Sequence, residues 1–247
     1  MTRIQKAFKK GKAFITFITA GDPDLETTEK LVLEMERSGA DIIELGIPFS
    51  DPIAEGSVIQ EANVRSLASG TTVNKIFEMV KKIRESSQVP LVFLTYLNPV
   101  FKYGYDAFFT KCKEVGVDGI IIPDLPYEEH AEISNRHGID LISLVAPTSE
   151  DRIRKIAAVA EGYLYVVSSL GVTGIRSEIK TDLKSIIDIA RETAKVPIAV
   201  GFGINTPKQA EQISKIADGI IVGSAIVKII AEKKSVAEYV KKMKEAI

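Results

Sequence analysis

The sequence predicts an α/β fold, a (β/α)8 TIM barrel with an extra N-terminal helix and a long loop after the second strand. Three observations lead there. Eight short, near-continuous apolar runs recur along the 247 residues, as expected of parallel strands covered on both faces. Amphipathic stretches with clear start and stop signals separate them, so strand and helix alternate strictly. No G-x-G-x-x-G turn follows the first run, although a doubly wound nucleotide-binding sheet would normally carry one there.

Arg3–Lys10 reads as the extra helix, ahead of a first strand at Phe14–Thr19. A helix over Glu26–Ser38 closes at Gly39, the residue type that most easily takes the left-handed cap. The second strand is Ile42–Leu45, and the segment Gly46–Gly70 after it is too long for a plain connection. Thr72 caps a helix over Val73–Ser86, which leads to the strand Leu91–Tyr96. Tyr105–Glu114 is a helix ended by Gly116, Gly119–Ile122 a strand, and Glu128–Arg136 a helix ended by Gly138. The strand Asp140–Val145 is followed by a helix over Glu150–Ala160, started at Ser149. Leu164–Ser168 is a strand and Thr181–Thr193 a helix. After the strand Ile198–Gly201, Thr206 and Pro207 open a helix that runs to Lys215, proline being well tolerated at the first helical position. The strand Gly219–Val222, a helical pattern from Ala225 and a last helix over Val236–Ala246 complete the chain. No linker, charge block or low-complexity segment interrupts this order, so residues 1–247 read as one domain.

Composition removes several classes of function. Thirty-two basic residues stand against thirty-three acidic ones, a net charge of −1 with none of the basic excess of a nucleic-acid binder. No apolar run reaches the roughly 18 residues of a membrane span, and the first residues have no signal-peptide core, so a cytoplasmic protein is expected. Cys112 is the one cysteine, which rules out an internal disulfide, and with only His130 and His137 a structural zinc site is not expected. Cys112 reads as a small buried apolar group and the two histidines as surface residues.

In such a barrel the chemistry lies at the C-terminal ends of the strands. Glu44 is a charged residue inside the second apolar run. It is either a barrel-interior carboxylate paired with a buried base, or an acid–base group whose pKa a hydrophobic mouth would raise. The loop after it adds Asp51 and Glu55, which on their own read as turn chemistry. Glycine turns follow the last three strands, at Gly171 to Gly174, Gly201 to Gly203 and Gly223-Ser224. Together they favour a phosphate site, because glycine admits close backbone approach and a helix start offers free N–H donors.

The segment from Glu44 to Pro52, reading ELGIPFSDP, closely resembles the signature of the tryptophan synthase alpha subunit family. Phe17 to Pro23, Asp124 to Pro126, Ser168 to Gly174 and Gly201 to Gly203 match in order, so the likeness covers essentially the whole chain. The resemblance implies a lyase that splits indole-3-glycerol phosphate into indole and glyceraldehyde 3-phosphate. It implies no cofactor or metal on this chain. The partner would be a beta subunit carrying pyridoxal phosphate, two alpha with two beta, which receives indole through a tunnel.

Carried over by motif, Glu44 matches the proton-transfer carboxylate and Tyr165 a tyrosine near it. Glu55 stands where the family has an aspartate that holds the indole N–H, and Ser57 where proline is common. Phe17, Ile59, Leu94, Tyr96 and Ile121 match the walls of the indole pocket. Gly174, Gly203, Gly223 and Ser224 match the phosphate turns, with Thr173 in the loop that closes over substrate. Pro48, Asp51 and Asn98 fall on stretches that face the beta subunit. A different phosphate-binding barrel would need a lysine or cysteine base at a strand mouth, and no expected strand ends in one. A catalytically weak subunit that mainly activates its partner is the other alternative, kept open by Glu55.

Overall fold

The computed structural model describes residues 1–167, 182–201 and 203–247. Nine parallel strands form its sheet: β1 (Ala13–Thr19), β2 (Ile42–Gly46), β3 (Leu91–Leu94), β4 (Gly119–Ile121), β5 (Asp140–Leu141), β6 (Leu144–Val145), β7 (Leu164–Val167), β8 (Ile198–Gly201) and β9 (Gly219–Val222). Their order is β5-β4-β3-β2-β1-β9-β8-β7-β6, so the first strand lies against the last, with Ala13 opposite Gly219.

The expected fifth strand, Asp140–Val145, is two short strands, and that is why nine are present where eight are expected. The chain changes partner in the middle of the run. The Ile142 N–H still donates to Ile120 of β4 (2.9 Å), whereas the Ser143 carbonyl already accepts from Tyr165 of β7 (3.0 Å). The two ends of the hydrogen-bonded sheet are thus consecutive in sequence, and the chain itself closes the ring.

Helices alternate with the strands: α1 (Arg3–Phe8), α2 (Leu25–Arg37), α3 (Ser57–Ala68), α4 (Val73–Arg84), α5 (Leu97–Tyr103), α6 (Tyr105–Val115), α7 (Glu150–Val159), α8 (Asp182–Arg191), α9 (Pro207–Ser214), α10 (Ser224–Ala231) and α11 (Val236–Lys244). The long segment after β2 carries α3, and α5 is an element with no counterpart in the sequence reading. The first helix stops at Phe8, short of the expected Lys10, and Gly11 after it has φ 129°. The expected helix Glu128–Arg136 is a 3₁₀ segment over Tyr127–Ile133. Ile133 is its one buried residue, so no apolar stripe holds a 3.6-residue period.

Every residue of β1, β2, β8 and β9 is buried. Alternation along β1 sends Phe14 and Ile18 outward to the helices, while Ile15 joins Ile42, Val92, Ile121 and Ile221 inside the barrel. Ile4 and Ala7 of α1 belong to the same interior cluster, so the extra helix plugs the N-terminal end of the barrel. Asp118 fastens that end. It accepts from Arg3 and Arg84 and from the Leu91 N–H, all at 2.9 Å. Cys112 is buried and unpaired, as expected of a small apolar group. Among the described residues no helix is long and apolar enough to cross a membrane.

Candidate active site

Glu44 lies on β2 opposite Phe17 of β1 and Val92 of β3. Only 1% of it is exposed, inside the barrel, and the Tyr163 hydroxyl donates to its Oε1 at 2.6 Å. Among the described residues no buried base bonds it, and its hydrogen-bond partner is this neutral phenol. Burial pushes the carboxyl up to about 8, against the opposing pull of the Tyr163 hydrogen bond. The interior ion pair expected as one alternative is therefore absent among the described residues, and Glu44 holds its proton at neutral pH.

Tyr165 of β7 stands two residues after Tyr163, which immediately precedes that strand, and is likewise buried in the same interior cluster. Burial and the nearby Glu44 carboxylate both hold its phenol well above the usual range. Sequence reasoning selected Tyr165 and missed Tyr163. The period of two along a strand was the available signal, since it aims both rings into the barrel.

Two strand glycines make room for aromatic rings, Phe17 and Tyr165. A Cβ at Gly46 would lie 2.7 Å from the Phe17 ring. At Gly201 it would overlap the Tyr165 hydroxyl and lie 2.6 Å from ring Cζ. Gly201→Ala is therefore expected to displace Tyr165, cutting turnover at least tenfold and lowering the thermal midpoint. Overpacking of this kind costs about 1–3 kcal/mol. An unchanged midpoint and rate, measured by calorimetry and steady-state assay, would show that the ring gives way freely.

The mouth of the barrel is apolar on one side. Phe17, Ala62 and Val227 form a buried cluster, with Val58, Ile59 and Leu94 packed against it. Three of the expected pocket walls, Phe17, Ile59 and Leu94, thus meet there. Ile121 lies in the interior cluster that also holds Tyr165. Tyr96 does more than line a wall. It is 1% exposed, and its hydroxyl accepts from the N–H groups of Ile53 (3.2 Å) and Ala54 (3.0 Å), tying the long loop to the end of β3.

Glu55, the next residue of that loop, is partly buried and accepts from the Asn63 amide on α3 at 2.6 Å. Burial raises its pKa and the Asn63 hydrogen bond opposes the rise. Asn63 is itself buried, and its helix is pinned where it sits. Arg65 makes two bonds to the buried Asp22 (2.7 and 2.8 Å), and the Ser66 hydroxyl donates to the Ala20 carbonyl (2.6 Å). Neither Asn63 nor the Asp22–Arg65 pair was visible as a site feature in the sequence.

Pro48, Asp51 and Asn98 share a groove of about 480 Å³ whose lining includes neither Glu44 nor Glu55. Pro48 is buried in its wall, whereas Asp51 and Asn98 are exposed. Near them in sequence, Ile53 of the loop is 79% and Phe101 of α5 67% exposed, large apolar side chains to face water. At the ends of the last two strands, Gly203 is exposed with φ 76°, and Gly223 opens α10 at Ser224 without a side-chain cap. Among the described residues the amides of that helix start have no side-chain acceptor. Thr173 and Gly174 lie outside the described residues. His130 and His137 are partly exposed, and His137 Nε2 sits 2.8 Å from Asp106.

A family model described as tryptophan synthase alpha chain matches residues 4–247. The chain is 51% identical over 240 residues to the tryptophan synthase alpha chain of Lacticaseibacillus casei, covering 96% of this chain and 90% of that one. It belongs to the tryptophan synthase alpha chain family. Solved structures agree with that placement. The tryptophan synthase alpha subunit of Legionella pneumophila superposes with a TM-score of 0.89 at 39% identity, over 100% of this chain and 98% of that one. A chain from the tryptophan synthase a2b2 complex of Pyrococcus furiosus does so at 0.84 and 38% identity, over 96% and 97%. The tryptophan synthase alpha chain is a carbon–carbon lyase of tryptophan biosynthesis, the subunit that cleaves indole-3-glycerol phosphate to indole.

Proposed function

We propose that Glu44 and Glu55 divide the work of this cleavage, Glu44 moving protons and Glu55 balancing charge. The observation that carries the reading is the Glu44 carboxyl, buried at the barrel's catalytic end, pushed up to about 8 and met by a phenol. Protonated at neutral pH, it can deliver a proton to C3 of the indole ring, which makes the ring an indolenine cation. The bond from C3 to the side chain then breaks, and its electron pair restores the aromatic ring. The side-chain hydroxyl loses its proton as the aldehyde forms, and the carboxylate that Glu44 has become is the base that takes it. One carboxyl thus returns to its starting state each turnover.

The cation formed midway is centred on the indole nitrogen. The Glu55 carboxylate, whose charged form the Asn63 hydrogen bond favours against the effect of burial, accepts the N–H and offsets that charge. Glutamate is one methylene longer than aspartate, and Asn63 takes up the extra reach by fixing Oε2 from the side. Phe17, Ile59, Leu94, Tyr96 and Ile121 supply a flat apolar pocket for the ring. Gly203, Gly223 and Ser224, with Gly174, take the phosphate, whose charge suits the start of α10, and the Thr173 hydroxyl orients a carboxylate when its loop closes over substrate. Residues 1–247 act as one barrel domain in this scheme.

The chain's partner is a tryptophan synthase beta subunit, two of each per complex, with pyridoxal phosphate on the beta side to join indole to serine. The exposed Ile53 and Phe101 make the contact, with the groove of Pro48, Asp51 and Asn98. Turnover of indole-3-glycerol phosphate by the purified chain, alone and with a beta subunit, tests the scheme. Indole release is expected alone and faster on mixing, because association favours the competent arrangement. Glycerol 3-phosphate is expected to tighten the complex, reciprocally with the beta subunit's effect on its own binding. The chain has no tryptophan, so indole-band fluorescence reports ligand or partner with little background. No indole with or without the partner would refute the scheme, and equal dissociation constants with and without glycerol 3-phosphate would refute the coupling.

A further inference from the structure

We propose that Tyr239, on the last helix, is a positioning residue for the turn after β8 that receives the substrate phosphate. The inference rests on reading Gly203 as part of the phosphate site. Gly203 is exposed, its φ is 76°, and a Cβ built there would meet no atom of the described residues within 4 Å. Ile204 below it is buried, which anchors one side of the turn only. Among the described residues little packs on the top of the turn, and hydrogen bonds place it.

Those bonds come from two helices. Gln209 of α9 accepts from the N–H of Asn205 (3.0 Å) and of Thr206 (3.1 Å) through one side-chain oxygen. On the opposite edge the Tyr239 hydroxyl donates to the Asn205 carbonyl at 3.0 Å. The peptide plane between Asn205 and Thr206 is thereby held at both its oxygen and its nitrogen. Asn205 passes the constraint on, since its side-chain amide reaches the Gly203 carbonyl at 3.4 Å.

Tyr239 is well placed for this because its own helix is fixed. The Ala237 N–H donates to Glu34 of α2 (3.3 Å), and Lys244 reaches both Asp41 and the Lys12 carbonyl at 2.8 Å. Val236, Val240 and Met243 are buried against the barrel's outer layer. A rigid helix with one hydroxyl aimed at a loosely packed turn suits the task of setting that turn's geometry before the ligand arrives.

The test is Tyr239→Phe, which keeps the ring and removes the bond. Calorimetric binding of glycerol 3-phosphate, and KM and kcat for indole-3-glycerol phosphate, are measured on the full chain. The dissociation constant and KM are expected to rise about two- to tenfold, the range for one neutral hydrogen bond, with kcat and the thermal midpoint little changed. Asn205→Ala, which leaves Tyr239 and its acceptor carbonyl in place, should show the same split. Unchanged binding in both variants, or a fall in kcat at constant KM, overturns the role of Tyr239. Should the wild-type chain bind neither glycerol 3-phosphate nor inorganic phosphate, the phosphate reading of the turn falls and the inference falls with it.

Discussion

Glu44→Gln is expected to cut turnover by about 10²–10⁴-fold, the usual contribution of a general acid–base group. Glutamine keeps the shape and can still accept from Tyr163, so substrate affinity should survive. The pH profile gives a second reading of the same group. The proton on Glu44 is needed for the first step, so kcat/KM of the wild type should fall as pH rises through about 8. A variant that keeps more than a tenth of the wild-type rate would remove Glu44 from the chemistry.

The same substitution should alter stability in the opposite sense. In the unfolded chain this carboxyl titrates near its ordinary value of 4.5, and in the fold near 8. Between those values the folded state holds the extra proton, so stability declines as pH rises across that window and levels off above it. Glutamine carries no such penalty. Glu44→Gln should therefore be more stable than the wild type, by a margin that is larger at pH 8.5 than at pH 5. Chemical denaturation at the two pH values checks this, and a margin that shrinks with rising pH would contradict the buried, protonated carboxyl.

The second large effect is expected at Glu55. Glu55→Ala should lower indole release by about 10²–10³-fold, as when a preorganised electrostatic partner of a transition state is removed. Asp51→Ala, exposed in the groove, should leave the isolated chain's rate nearly intact and weaken its response to the beta subunit. Glu55→Asp should be tolerated or faster. Asn63→Ala removes the bond that favours the charged form, so the acid limb of the profile, where Glu55 must be ionised, should move to higher pH. Dispensable Glu55 with essential Asp51 would mean that the wrong carboxylate of this loop has been given the indole nitrogen.

The sequence carried the barrel well because its evidence is periodic: fully buried strands read as unbroken apolar runs, and caps such as Thr72, Ser149 and Thr206 all appear in the structure. It carried Glu44 because a charge inside such a run is conspicuous. What it hid depends on pairing across the chain. The split at Ile142 and Ser143 arises from which neighbour each peptide meets, and no local pattern encodes that. Asn63 and Arg65 sit on a helix of weak amphipathicity, and their importance comes from Glu55 and Asp22 reaching them from other elements. Tyr163 was legible by alternation once β7 was placed, but only the fold shows which of the two tyrosines meets the carboxyl.

The pairing of β1 with β9 also sets a schedule for how the enzyme comes into being. A ribosome adds roughly 5–20 residues each second, so β1 waits on the order of 10–40 s for the strand that covers its free edge. During that time a largely apolar ribbon, Ala13–Thr19, has one row of backbone groups open to any passing strand. The emerging chain therefore depends on rapid docking of its early helices, or on a chaperone, to stay soluble before it has any catalytic capacity. Changes near Gly219 that merely delay the last strand would reduce the yield of enzyme in a cell while leaving the specific activity of every molecule that finishes untouched.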